Sequence, residues 1–187
     1  LNFCTVDLSA FYFDIRKDTL YCDPKESEKR KNSIIVLNII LESLLKWFAP
    51  ILSFTTEEIF ALINKDKKSI HLEEFIKFPK LFENTKLSEK WVELKKIRDI
   101  CNISIEEKRV SKEIGSSLEA NLTININNEQ SKFIENIDLA ELCITSEVNI
   151  IKTNDKEVIK VETKKAEGEK CPICWKISKD RCQRHAI

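Results

Sequence analysis

Leu44–Phe60 reads LLKWFAPILSFTTEEIF. Apolar residues fill its first half and Pro50 interrupts them. Thr55 and Glu58 then supply the S/T-x-x-E spacing in which each side chain satisfies a free backbone N–H of a new helix. One helix therefore stops near Pro50 and another starts at about Thr56. Corners of this kind are the ordinary way to pack helices, so the stretch predicts a helical domain and, by itself, no activity.

Upstream, Ile34, Leu37, Leu41, Leu44 and Phe48 recur at steps of three and four and predict a helix beginning near Ser27. Its start, Lys29-Arg30-Lys31, reads either as a solvated helix end or as a phosphate-facing patch. Before it, Cys4, Leu8, Phe11 and Ile15 mark the face of a first helix, which must end ahead of Asp23-Pro24. Downstream, a short helix to Ile63 gives way to a weakly patterned connector from Ile70 to Pro79, where His71 stands alone. Ser88 then offers an N-cap for a fourth helix with Trp91, Leu94, Ile97, Cys101 and Ile105 on one face. Four helices with short links predict a bundle.

At Ile114 the period changes. Gly115 breaks the helical pattern, and Leu122, Ile124 and Ile126 alternate with polar residues as in a half-buried strand. A short helix from about Glu129 to Ile137 is expected next, then strands at Leu142–Ile151 and Val158–Thr163 around an Asn154-Asp155 turn. The fold class is thus mainly α: a helical bundle over residues 1–113, a small α+β domain over 114–165, and a cysteine-rich tail over 166–187.

Composition limits what such a chain can do. It has 187 residues, 42% of them apolar, and no run of 18 apolar residues that could span a membrane. With Gly115 and Gly168 its sole glycines, no glycine-rich phosphate loop can be built, and two histidines leave little material for imidazole catalysis. No catalytic residue is assigned. Residue 1 is Leu and Met is absent, so a piece of a longer polypeptide is expected. Seven cysteines, an odd number, with no secretory segment point to a reducing cytoplasm. The 31 basic and 31 acidic residues balance overall, yet residues 164–187 hold seven Lys/Arg against three Asp/Glu. A basic tail of this kind fits a local anionic partner or a plain solvated end.

That tail ends CPICWKISKDRCQRHAI, with Cys171-x2-Cys174 and Cys182-x2-His185 as two ligand pairs seven residues apart. Two such pairs complete the tetrahedron of a closed structural zinc site, and one Zn2+ would order a segment too poor in apolar residues to fold alone. Three thiolates and a neutral imidazole around a dication leave one negative charge, which Lys170, Lys176, Arg181 and Arg184 can offset. A redox or free-thiol role for C-x2-C is the other reading, although the strand-then-helix context it needs is absent. His185 is the ligand that water or a neighbour could replace. Trp175, directly after a ligand, either stacks on an exposed base or covers the knuckle.

Four stretches carry a resemblance: DLSAFYFDIRKDTLY at Asp7–Tyr21, LLKWFAPILSFTTEEIF at Leu44–Phe60, IGSSLEA at Ile114–Ala120 and GEKCPICW at Gly168–Trp175. In this order they resemble the C-terminal part of the bacterial isoleucyl-tRNA synthetase family, a class I ligase family. The resemblance implies a helical anticodon-binding domain, a junction domain and a zinc knuckle. It departs from the family tail in two places: Ile173 stands where Arg is usual, and a short spacer leads to His185 where the last Cys would be. The implied role is tRNA binding, with the anticodon stem-loop of isoleucine tRNA held so that a distant catalytic domain can aminoacylate and edit. ATP would bind only in that absent domain, since the HIGH and KMSKS signatures are missing here. The implied partners are isoleucine tRNA and the remainder of the same synthetase chain, in a monomer. Candidate RNA contacts, chosen from charge, ring chemistry and placement, are Lys29, Arg30, Arg98, Trp175, Arg181 and Arg184. The rival readings are a zinc-stabilised protein-interaction module without an RNA role and a repair knuckle of the DNA-glycosylase type. The second explains the tail alone.

Overall fold

The computed structural model describes residues 1–66, 68–153, 159–182 and 184–185. The chain is mainly helical with a small sheet, and it divides into two compact units, Leu1–Asp18 with Asn84–Ile187 and Thr19–Glu83. Among the described residues no helix is long and apolar enough to cross a membrane.

The Thr19–Glu83 unit holds α2 (Glu28–Phe48) and α3 (Ser53–Ile63), joined through the Pro50 corner. Ser27 caps α2, its Oγ accepting the Arg30 N–H at 3.4 Å, as its position predicts. The second helix begins earlier than the S/T-x-x-E spacing suggests: α3 starts at Ser53, and Thr56 is already inside it, its Oγ1 bonded back to the Leu52 carbonyl at 3.0 Å. Leu45, Ala49, Phe60 and Ile70 form the core, so the corner closes over a residue of the connector. Glu57 fixes that connector by accepting from Ser69 Oγ at 2.8 Å and from the Ile70 N–H at 3.0 Å. On α2 the expected face is only half right. Leu37, Leu44 and Phe48 turn inward to some degree, but Ile34 and Leu41 are exposed, while Ser33 and Ser43 are buried with Oγ bonded to carbonyls four residues back. So many apolar residues crowd Ile34–Leu41 that period alone cannot choose among the rows.

The other unit is built on α4 (Thr85–Val110) lying over a three-stranded sheet of β1 (Ala120–Asn127), β2 (Glu147–Thr153) and β3 (Lys160–Lys165), in the order β2-β1-β3. Leu94, Ile97, Cys101 and Ile105 form the buried stripe of α4 and meet Ala120, Leu122, Ile124 and Ile126, the inward residues of β1. The first helix is π-helical over Phe3–Phe13 and continues as α1 (Asp14–Cys22). It contributes Ile15 to the same core, and Phe11 meets Trp91 edge-on at 5.9 Å. Strand β1 pairs in parallel with β2 and antiparallel with β3. The expected hairpin of the last two strands is therefore not formed: β1 lies between them, and α5 (Asn128–Ile134) and α6 (Leu139–Leu142) make the crossover that parallel pairing needs. The stretch from Leu142 that reads as strand is the end of α6, so β2 starts only at Glu147; the Asn154-Asp155 turn lies outside the described residues.

The start of α4 also differs from the sequence expectation. Asn84, not Ser88, is the cap, its Oδ1 accepting the Leu87 N–H at 3.0 Å, whereas Ser88 is an exposed residue of the first turn. Asn84→Ala should therefore cost ~1 kcal/mol in denaturant unfolding, and Ser88→Ala less than about 0.5 kcal/mol.

Candidate metal centre and nucleic-acid interface

The tail begins with a short hairpin, β4 (Glu169–Lys170) against β5 (Ile177–Ser178), with Glu169 opposite Ser178 and Lys170 opposite Ile177. Cys171 to Lys176 form its turn. The Trp175 N–H donates to the Cys171 carbonyl and the Cys171 N–H to the Lys176 carbonyl, both at 2.9 Å. This closes the loop so tightly that Trp175 takes φ +63°, a conformation few bulky residues adopt. The turn points Cys171 and Cys174 to one side, and a second turn at Cys182–His185, with the His185 N–H on the Cys182 carbonyl at 3.1 Å, faces them.

The four side chains converge: one ligand atom from each of Cys171, Cys174, Cys182 and His185 lies within 4.8 Å of the others. For bonds of ~2.3 Å to sulfur and ~2.0–2.1 Å to nitrogen, a regular tetrahedron has edges of roughly 3.8 Å between sulfurs and roughly 3.6 Å between sulfur and nitrogen. Here Cys174 Sγ and Cys182 Sγ are 3.8 Å apart, Cys171 Sγ and His185 Nδ1 3.6 Å, and Cys182 Sγ and His185 Nδ1 3.5 Å. The donor set and its edges fit a tetrahedral thiophilic cation such as zinc.

Backbone N–H groups aimed at the sulfurs tune them. Burial works against the Cys171 thiolate, yet the N–H groups of Cys174 and Ile173, with the Cys174 and His185 side chains, bring this thiol down to about 6. Cys182 is likewise lowered: burial opposes the shift, but the N–H groups of Arg184 and His185 and the His185 ring outweigh it. Cys174 moves the other way, pushed up to about 12 chiefly by burial despite the Lys176 N–H. A cation arriving at neutral pH thus meets thiolate at Cys171 and displaces the proton of Cys174.

The hairpin is seated on the sheet through residues that carry no motif. Ser146 Oγ accepts the Ile177 N–H at 2.6 Å and donates to the Leu118 carbonyl. The Ala166 N–H reaches the Glu119 carbonyl at 2.7 Å, Lys170 Nζ lies 3.8 Å from Glu119 Oε1, and Glu119 Oε2 takes the Gly115 N–H at 2.9 Å. IGSSLEA is therefore the seat of the knuckle.

The candidate RNA contacts fall into two classes. Trp175 is 59% exposed with Lys170 Nζ 5.7 Å from its ring centroid, Arg181 is exposed, and Lys29 is exposed in the first turn of α2. The other three guanidinium groups are committed inside the protein. Arg30 Nη1 donates to the Asp23 carbonyl at 3.0 Å, and Arg98, its side chain 13% exposed, donates to the Leu142 carbonyl at 2.9 Å and pairs with Asp14 at 3.2 Å. Arg184 pairs with Asp18. Lys29 and Arg30 belong to the Thr19–Glu83 unit and the other four to its counterpart. Sequence reasoning missed Ser146, Glu119 and Asp18, whose contacts join residues distant along the chain.

The sequence of the chain matches those of known proteins. The anticodon-binding domain of tRNA ligases matches residues 1–124. The isoleucine–tRNA ligase of Pelagibacter ubique (strain HTCC1062) is 67% identical over 186 residues, covering 100% of this chain and 20% of that protein. Those of Bartonella henselae and Agrobacterium fabrum are each 40% identical over 190 residues, 96% of this chain. The chain spans about a fifth of the length of the curated relatives it matches.

Proposed function

This chain belongs to the family of anticodon-binding domains of tRNA ligases, and from that premise we propose that it holds the anticodon stem-loop of isoleucine tRNA as part of an isoleucine–tRNA ligase. The observation that carries the reading is similarity along its whole length to proteins of that name. Activation of isoleucine with ATP, transfer to tRNA and editing fall to the rest of such an enzyme, which is the partner in the same cytoplasmic, monomeric polypeptide. This chain contributes recognition and makes no bond.

Residues 1–113 serve as the helical anticodon-binding part, 114–165 as a junction, and 166–187 as a knuckle around one structural Zn2+ held by Cys171, Cys174, Cys182 and His185. The ion supplies cross-linking of two turns; the chain supplies the rest. Trp175 offers a flat ring for stacking, and Arg181 and Lys29 offer charge to phosphates. Arg30, Arg98 and Arg184, bonded internally, act by holding in shape the surface to which they belong.

Titration with isoleucine tRNA and with an anticodon-substituted form, each at two salt concentrations, tests this. The cognate RNA should bind about tenfold tighter, since a lost base contact costs ~1–3 kcal/mol. Trp175→Ala should weaken binding by a similar amount with little change in salt dependence, whereas Arg181→Ala should reduce the slope of log K against log salt by about 1. Equal affinity for the two RNAs would sink anticodon recognition and leave a protein-interaction module as the better reading.

A further inference from the structure

The two ligand pairs are supported differently. Cys171 and Cys174 ride on the β4–β5 hairpin, which is anchored to the sheet through Ser146. Cys182 and His185 lie in a turn outside either strand. Between them in the chain stands Arg184, whose side chain leaves the cluster for α1. There Nη1 donates to Asp18 Oδ2 and Nη2 to the Asp18 carbonyl at 3.3 Å. The two side chains are 27% and 20% exposed, so salt screens the pair less than it would a surface bridge. A forked contact to both a carboxylate and a backbone oxygen fixes direction as well as distance.

We propose that Asp18 is a positioning residue of the metal centre: by holding Arg184 against α1 it keeps Cys182 and His185 at tetrahedral spacing before the cation arrives. Asp18 is not one of the four residues whose donor atoms converge. Its effect is on the fraction of molecules whose second ligand pair is in place, and apparent affinity scales with that fraction. Groups outside the ligand set that orient it commonly account for ~10–100-fold in metal affinity. The inference rests on the reading of the four-residue cluster as a zinc site.

Zinc competition against a chromophoric chelator, with cobalt(II) as the spectroscopic probe, tests it on this chain. The parent should bind one equivalent. Asp18→Ala and Arg184→Ala should each raise the zinc dissociation constant about tenfold, and the double variant no further than either single one. The cobalt–thiolate absorption per bound ion should stay unchanged, because the ligand set is intact. The exchanged pair, Asp18→Arg with Arg184→Asp, should recover part of the loss. A general fold defect would also lower the melting temperature in excess chelator; the positioning role leaves that value within a degree or two of the parent's. Unchanged zinc affinity in Asp18→Ala, with the parent binding one equivalent, overturns the proposal and spares the metal site. A parent that binds no zinc removes both.

Discussion

Cys174→Ser is expected to abolish stoichiometric zinc binding and to unfold the tail while the rest of its unit stays folded. Cys174 is buried, and its sulfur forms the 3.8 Å edge with Cys182 that the tetrahedron requires. Serine presents a shorter, harder oxygen whose proton a cation cannot displace at neutral pH, so three ligands remain around an ion selected by four. Because changes outside the ligand set already reach ~10–100-fold, loss of a ligand should exceed about a hundredfold. The structural consequence follows from how little else holds the hairpin: two residues in each strand, the Ile177–Ser146 bond, the Ala166–Glu119 backbone bond and the Lys170–Glu119 ion pair. Hydrogen exchange should show β4 and β5 losing protection. The α4 stripe Leu94, Ile97, Cys101 and Ile105, packed on β1, should keep its own, since its core includes no described residue of the tail. An ordered hairpin in the metal-free variant would defeat the idea that the ion orders it.

The same contrast explains what could be read in the sequence. The α4 stripe is legible because polar residues separate its apolar ones, leaving a single row for burial; α2 is not, because Ile34-Ile35-Val36 and Ile39-Ile40-Leu41 supply an apolar residue in nearly every direction. The alternation of β1 is visible for a similar reason, with its four inward residues spaced by two. Its partners are not visible, since parallel pairing with β2 depends on a crossover that local pattern does not encode. Cap residues mislead through multiplicity: Asn84 and Ser88 both suit the role, and only the folded chain chooses. At the tail, ligand spacing along the chain brings out Cys171, Cys174, Cys182 and His185, because two short turns bring such pairs together whatever surrounds them. Asp18 and Ser146 lie 166 and 31 residues from the groups they hold, and nothing local marks them.

The two glycines separate backbone necessity from chance, and Gly168→Ala is the sharper experiment. Gly168 enters β4 with φ +122°, outside the regions open to L-residues, and a Cβ there would stand 2.0 Å from the Ser178 carbonyl oxygen and 2.3 Å from its carbon. Those are backbone atoms of the strand that must pair with Glu169, so the clash cannot be relieved by a side-chain rotation. Either Ala takes an ordinary φ and swings β4 away, or β5 retreats and strains the Ile177–Ser146 bond. Both move Cys171 and Cys174 relative to Cys182 and His185. The conformational penalty alone is ~1–3 kcal/mol, before the overlap is counted, so zinc affinity should fall by at least about tenfold. At Gly115 the atoms nearest to a Cβ would be those of the Glu119 carboxyl group, at an ordinary 3.6 Å, with no unusual φ to satisfy. Gly115→Ala should therefore bind zinc like the parent and shift stability by no more than about 0.5 kcal/mol. If the two substitutions prove equally mild in chelator competition, the hairpin does not set the ligand geometry, and the second turn must carry it alone.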